Sequence, residues 1–117
     1  MTLRLSEAAR DDLRAIYRYY AERSPASVGS VVGTILKAAN GLTRFPLMGK
    51  QGAIEGTRER IVTRYPYRIV YILKEDTLIV PRILHSARTE GSGVARYASS
   101  RAGSSRRATP IRASATP

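Results

Sequence analysis

Several residue types are scarce or absent in this 117-residue chain, and each absence excludes a class of protein. There is no cysteine, so a disulfide framework and a thiolate metal site are both excluded. A single histidine and scattered carboxylates leave no metal-ligand constellation. We therefore expect neither a metal nor a cofactor.

Long apolar runs are also missing. No stretch is long enough to span a bilayer, and the opening MTLRLSEAARDD lacks the apolar region of a secretory signal. No glycine-rich phosphate loop followed by Lys-Ser/Thr occurs, and no Gly-x-Ser-x-Gly motif occurs, which disfavours an NTPase and a serine hydrolase of that type. We expect a soluble cytoplasmic protein.

Acidic residues are few, with 9 against 20 Lys and Arg, so the net charge is +11. Residues 92–117 hold five arginines and no acid, which leaves 15 basic and 9 acidic residues, or +6, on residues 1–91. Such charge attracts nucleic acid, acidic proteins or anionic lipid. The composition also changes here, which predicts a folded domain over residues 1–90 and a basic, disordered, low-complexity tail over residues 91–117.

Two helices are predicted in the first half of the chain. Ser6 is a candidate N-cap, and apolar residues follow it at helical spacing. Ser24 and Pro25 mark the start of a second helix, whose apolar spacing continues to about Phe45 before Pro46 ends it. The short link between the two predicts a helical hairpin.

Short β-strands are predicted in the second half. Residues 57–64, 67–74 and 77–85 are rich in β-branched and aromatic residues, and their short spacing predicts antiparallel pairing. Residues 2–5 are a further short strand. Pro81 lacks a backbone donor, which favours an edge, a bulge or a strand end. The predicted fold class is therefore α+β, a helical hairpin packed on an antiparallel sheet of three to four strands.

Arginines are unusually frequent in the predicted strands. Side-chain alternation places Arg58, Arg60 and Arg64 on one face of the first strand, and Arg68 follows on the next. We expect the opposite face to pack on the helices through Ile61, Ile69 and Tyr71. The clustered guanidinium groups then either pair with neighbouring glutamates or line a groove for a phosphate backbone or an acidic protein segment.

Four segments taken together are similar to a known family. They are LSEAARDDLRAIYRYYAERSP, LTRFPLMGKQG, GTRERIVTRYPYRIVYIL and RILHSAR, and they cover about residues 2–89. On these segments the chain resembles the RelE/ParE superfamily of bacterial type II toxins, and is most similar to the ParE-like branch. Members typically end soon after the H-x-x-R stretch, so the residues from Gly91 onward are a departure.

The resemblance implies a fold and a function. The fold is a helical hairpin on a twisted antiparallel sheet, and the partner is a cognate antitoxin whose C-terminal segment wraps the toxin in a hetero-oligomer. ParE-like members inhibit DNA gyrase without being nucleases, which implies growth inhibition and plasmid stabilisation. One alternative is a RelE-like endonuclease that cuts mRNA on the ribosome, and another is a non-toxic member that only binds its antitoxin.

Candidate site residues follow from both lines of reasoning. For binding the antitoxin or the target they are Arg58, Arg60, Arg64, Arg68, His85 and Arg88. If the chain is a nuclease, the catalytic candidates are Arg64, Arg82, His85 and Tyr65, because arginine stabilises phosphate charge while histidine or tyrosine moves protons. RNA-cleaving members often carry a tyrosine just after the last strand, where this chain has HSAR, so the gyrase inhibitor is the leading interpretation.

Overall fold

The computed structural model describes residues 1–86; residues 87–117, with Arg88 and the predicted tail, lie outside the described residues. The described part contains a five-stranded sheet in the order β1-β5-β4-β3-β2. The strands are β1 (Thr2–Leu5), β2 (Lys50–Gln51), β3 (Arg58–Val62), β4 (Tyr67–Lys74) and β5 (Thr77–His85). β1 runs parallel to β5, and all other neighbouring pairs are antiparallel.

The sheet confirms the predicted α+β fold class with two differences. The bounds predicted for β4 and β5 are confirmed, and β3 is shorter than predicted at both ends. The predicted strand at residues 2–5 forms, but it joins the sheet in parallel with β5, so the sheet is mixed. β2 was not predicted, because two polar residues carry no periodic signal.

The first helix agrees with its prediction, whereas the second is shorter than predicted at both ends. In α1 (Glu7–Arg23) the predicted cap is confirmed, since the Ser6 hydroxyl accepts a hydrogen bond from the backbone N–H of Ala9 at 3.0 Å. A 3-10 turn at Pro25–Ser27 precedes α2 (Val28–Gly41). The Ser24 hydroxyl bonds the Ser27 hydroxyl and makes no hydrogen bond that caps a helix. After Gly41 the chain turns. No helix in the described part is long and apolar enough to cross a membrane.

The main core lies between the helices and one face of the sheet, which we call the helix face. Its fully buried side chains include Ile35 of α2, Ile69 and Tyr71 of β4, and Leu78 and Val80 of β5. The opposite side, the far face, carries a smaller cluster formed by Ile54, Val70 and Leu84. The register of β5 shifts beside Pro81, so the predicted irregularity there is confirmed.

The start of α1 is fixed to the bulged part of β5. The pairing of β1 with β5 ends where Leu5 lies opposite Val80. Ser6, which follows Leu5, continues the contact, because its hydroxyl donates to the Pro81 carbonyl at 2.9 Å. Nearly two helical turns later the Asp12 carboxylate accepts the backbone N–H of Ile83 at 2.9 Å. It also accepts Nε and Nη2 of Arg82 at 2.8 and 3.0 Å. Asp12 therefore bonds the edge of β5 at the residues that β1 does not reach, where a neighbouring strand would otherwise lie.

We predict that Asp12→Asn destabilises the protein by about 2–3 kcal/mol, because an amide N–H₂ would face the donors that the carboxylate now accepts. Urea unfolding followed by circular dichroism measures the change. The matched control is Asp11→Asn, whose carboxylate makes an exposed ion pair with Arg14 and should change stability by less than about 0.5 kcal/mol. Equal effects of the two substitutions would contradict the anchoring role.

Candidate functional site

The predicted basic residues do not share one face of the sheet. Arg58 and Arg60 lie on the helix face, directly opposite buried residues of β4. Arg68 lies on the far face together with Ile61, which is 40% exposed. The predicted faces are therefore wrong for Ile61, Arg58 and Arg60. They are correct for Ile69 and Tyr71, which pack under the helices, and for Arg68, which points the other way. The alternation along β3 is correct, but Val62 supplies the apolar contact with the core.

Arg58 is used inside the fold. Its Nη2 donates to the carbonyl oxygens of Leu47 and Gly49 at 3.1 and 2.6 Å. The buried Tyr71 hydroxyl holds the same segment, because it donates to the Pro46 carbonyl at 2.6 Å and accepts the Gly49 N–H at 3.0 Å. Four hydrogen bonds from β3 and β4 thus fix residues 45–49, which we call the 45–49 loop.

The 45–49 loop turns its large side chains outward. Phe45, Leu47 and Met48 are 60%, 69% and 54% exposed, respectively. Arg44 and Lys50, which flank the loop, are exposed as well. Sequence reasoning treated this stretch only as a connection between elements. The signal that would have identified it is a group of large apolar residues between Pro and Gly, where loops are normally polar.

Two of the candidate arginines form ion pairs within the fold. On the far face Arg68 Nη1 lies 3.3 Å from Glu59 Oε1, and both side chains are largely buried. Arg82 makes the bidentate pair with Asp12 described above. The alternative that the guanidinium groups pair with neighbouring glutamates is thus correct for Arg68, whereas Arg82 pairs with an aspartate on α1.

Neither Arg60 nor Arg64 has a carboxylate partner within residues 1–86. Arg60 Nη1 donates to the Ile61 carbonyl at 3.1 Å, and its buried Nε has no hydrogen-bond partner in that range. Arg64 is exposed in the turn between β3 and β4, with its guanidinium carbon 5.9 Å from the ring centre of Tyr65. These two side chains keep the hydrogen-bonding capacity that an anionic partner would use.

An aromatic cleft of about 380 Å³ lies between the second half of α1 and the adjoining ends of β4 and β5. Its lining includes Tyr19, Tyr20, Tyr67 and His85. The rings of Tyr67 and His85 meet edge to face with centres 5.7 Å apart. Burial raises the pKa of Tyr67 to about 12, with a further contribution from the Tyr20 hydroxyl. The Tyr67 phenol is therefore neutral at physiological pH.

The nuclease candidates do not converge on this cleft. Of Arg64, Tyr65, Arg82 and His85, only His85 lines it. The Tyr65 hydroxyl is 3.0 Å from the Ser30 hydroxyl on α2, while Arg82 is held by α1. Arg88 is outside the described residues. Within residues 1–86 no group of three or more histidines and carboxylates is placed to hold a metal ion.

Comparison with known proteins identifies the family. The family model described as the ParE toxin of the type II toxin-antitoxin system parDE matches residues 3–90. The chain belongs to the ParE toxin family. It is 31% identical over 80 residues to "Putative toxin Y4kP" of Sinorhizobium fredii (strain NBRC 101917 / NGR234), an alignment that covers 63% of this chain and 82% of that protein.

Solved structures agree with this ParE family assignment at the level of the fold. A chain of the chromosomal ParDE toxin–antitoxin system from P. aeruginosa is similar with a TM-score of 0.67 and 24% identity, covering 73% of this chain and 95% of that one. A chain of the toxin–antitoxin complex RelBE2 from Mycobacterium tuberculosis has a TM-score of 0.54 and 27% identity, covering 72% and 95%. The fold is thus common to ParE and RelE proteins.

We predict that Gly49→Ala destabilises the protein by about 2–3 kcal/mol, because a Cβ there would lie 2.6 Å from the Tyr71 hydroxyl and 2.7 Å from the Glu59 carbonyl. The control is Gly33→Ala in α2, where a Cβ meets no atom within 4 Å. That substitution should stabilise the protein by about 0.5–1 kcal/mol. Urea unfolding compares the two variants, and a harmless Gly49→Ala would contradict the close packing of the loop.

We also predict that stability falls between pH 10 and 12, and that Tyr67→Phe removes part of this fall. An unfolded tyrosine ionises near pH 10, whereas Tyr67 in the fold keeps its proton to about pH 12, so rising pH favours the unfolded chain across this window. The loss of stability due to Tyr67 is of order 2–3 kcal/mol by pH 12, and there is no such loss below pH 10. Urea unfolding at intervals from pH 9 to 12 measures it. Tyr17→Phe, at an exposed position, is the control, and an unchanged slope in Tyr67→Phe would contradict the prediction.

Proposed function

We propose that this chain is the toxin of a type II toxin–antitoxin system, that it acts in the cytoplasm by binding and inhibiting DNA gyrase, and that a cognate antitoxin neutralises it. The observation that carries the proposal is the match of residues 3–90 to the ParE toxin family. The similarity in fold to a chain of the ParDE system of P. aeruginosa supports it.

The geometry supports a binding protein over a catalyst. A nuclease built on the candidate residues would need a guanidinium directed at the phosphate and a proton-transfer group beside it. Here the Arg82 guanidinium is occupied by Asp12, and the Tyr65 hydroxyl bonds Ser30. The phenol of Tyr67, which contacts His85, is a poor base because its proton is retained to high pH.

The charge supports an acidic protein partner. Residues 1–86 contain 14 Lys and Arg against 8 Asp and Glu. Of the residues expected to bind the antitoxin or the target, Arg60 and Arg64 have no carboxylate partner in this range, whereas Arg58 and Arg68 are bonded within the fold. We propose that Arg60, Arg64, His85 and Arg88 contact the antitoxin, and that Arg58 and Arg68 act by shaping the surface.

A ribosome-dependent mRNA endonuclease is the second candidate. The similarity in fold to a chain of the RelBE2 complex favours it, as does the position of His85, which is exposed at the edge of the aromatic cleft. In that case His85 would be the general acid or base of the cleavage.

We predict that the purified full chain inhibits DNA supercoiling by gyrase and that His85→Ala retains at least about half of this inhibition, because most single interface residues cost less than about 1 kcal/mol when they are truncated to alanine. Supercoiling of a relaxed plasmid by purified gyrase measures the effect. In parallel, a translation reaction programmed with one mRNA is examined for cleavage. Intact gyrase activity together with mRNA cleavage that His85→Ala abolishes would replace the gyrase proposal by the endonuclease.

A further inference from the structure

The 45–49 loop combines exposure with rigidity. Its three large apolar side chains lie close together in sequence and are more than half exposed, and a contiguous exposed apolar patch marks an interaction site. Its backbone is held from within by the completely buried Tyr71 and by Arg58. The N–H of Met48 also donates to the carbonyl of Phe45 at 3.0 Å, which closes the turn.

Close packing adds to the restraint. The backbone of Gly49 approaches Tyr71 and Glu59 so closely that no larger residue fits. A fixed loop loses little conformational entropy when a partner binds, and apolar side chains that are already in place contribute their burial directly to affinity. The fold therefore presents Phe45, Leu47 and Met48 in a preorganised arrangement.

The charge around the loop indicates the kind of partner. Residues 24–54 contain Lys37, Arg44 and Lys50 and no acidic residue, and all three cations are exposed. Large apolar residues that exposed cations flank along the chain complement a protein surface in which an apolar depression is bordered by carboxylates.

We propose that the 45–49 loop is the surface by which this toxin binds its target, and that the target site is a folded, acidic protein surface with an apolar depression. The inference rests on the proposed function, in which that target is DNA gyrase. A disordered segment that folds on binding loses conformational entropy of its own, and this loss offsets part of what a fixed loop contributes. A folded target loses little such entropy, so a preorganised loop contributes more fully to affinity.

The experiment uses the full chain carrying Leu47→Gln and Met48→Gln together, which keeps side-chain size and removes the apolar contact. Both side chains are exposed, so the melting temperature should stay within about 2 °C of that of the wild type. Tyr17→Gln is the matched control, because Tyr17 is 53% exposed on α1 and Met48 is 54% exposed. We expect the double variant to bind purified gyrase at least about tenfold more weakly and the control to bind within about twofold of the wild type.

Growth after induction in cells separates the two proposals. If the wild type arrests growth without binding gyrase, the gyrase proposal fails, and the loop is judged by whether the double variant loses the arrest. A double variant that retains both gyrase binding and growth arrest would overturn the inference. So would loss of binding to a duplex DNA oligonucleotide with gyrase binding unchanged, because that result would assign the loop to nucleic acid. A wild type that neither arrests growth nor binds gyrase overturns both proposals.

Discussion

The structure depends on the carboxylate of Asp12. It accepts three hydrogen bonds from β5, two from the Arg82 guanidinium and one from the backbone of Ile83. Together with Ser6, which lies six residues earlier and bonds the bulged backbone, it sets the position of α1 along the edge of the sheet. The aromatic cleft exists because α1 is held there, since its second half forms one wall and the ends of β4 and β5 form the other.

The arginines divide into those that build the fold and those left for a partner. Arg58 holds the 45–49 loop, Arg68 pairs with Glu59, and Arg82 fixes α1. Guanidinium suits these internal roles because its planar donors satisfy two acceptors at once. Arg60 and Arg64 make no such ion pair within residues 1–86. A strongly basic sequence therefore does not translate into one basic surface, and the rigid apolar loop carries as much of the proposed recognition as charge does.

Much of the fold could be predicted from the sequence, because local patterns determine it. The Ser6 cap and the bounds of β4 and β5 follow from capping chemistry and β-branched runs. The face of β3 could not be predicted, because Ile61 and Val62 are both apolar and either register satisfies the alternation. The resemblance in sequence indicated the family, which the family match confirms. The pairing of Asp12 with Arg82 joins residues 70 positions apart, and no local pattern reports such a contact.

The pairing of β1 with β5 also has a consequence for synthesis on the ribosome. Of the described elements β1 is made first, yet its strand partner in the described sheet, residues 77–80, is nearly the last part of that sheet to be made. The contacts of Ser6 and Asp12 with β5 wait for the same segment. A nascent chain that stops before β5 has neither its edge strand nor its first helix in place, so the assembled surface arises only when translation of the domain is almost complete.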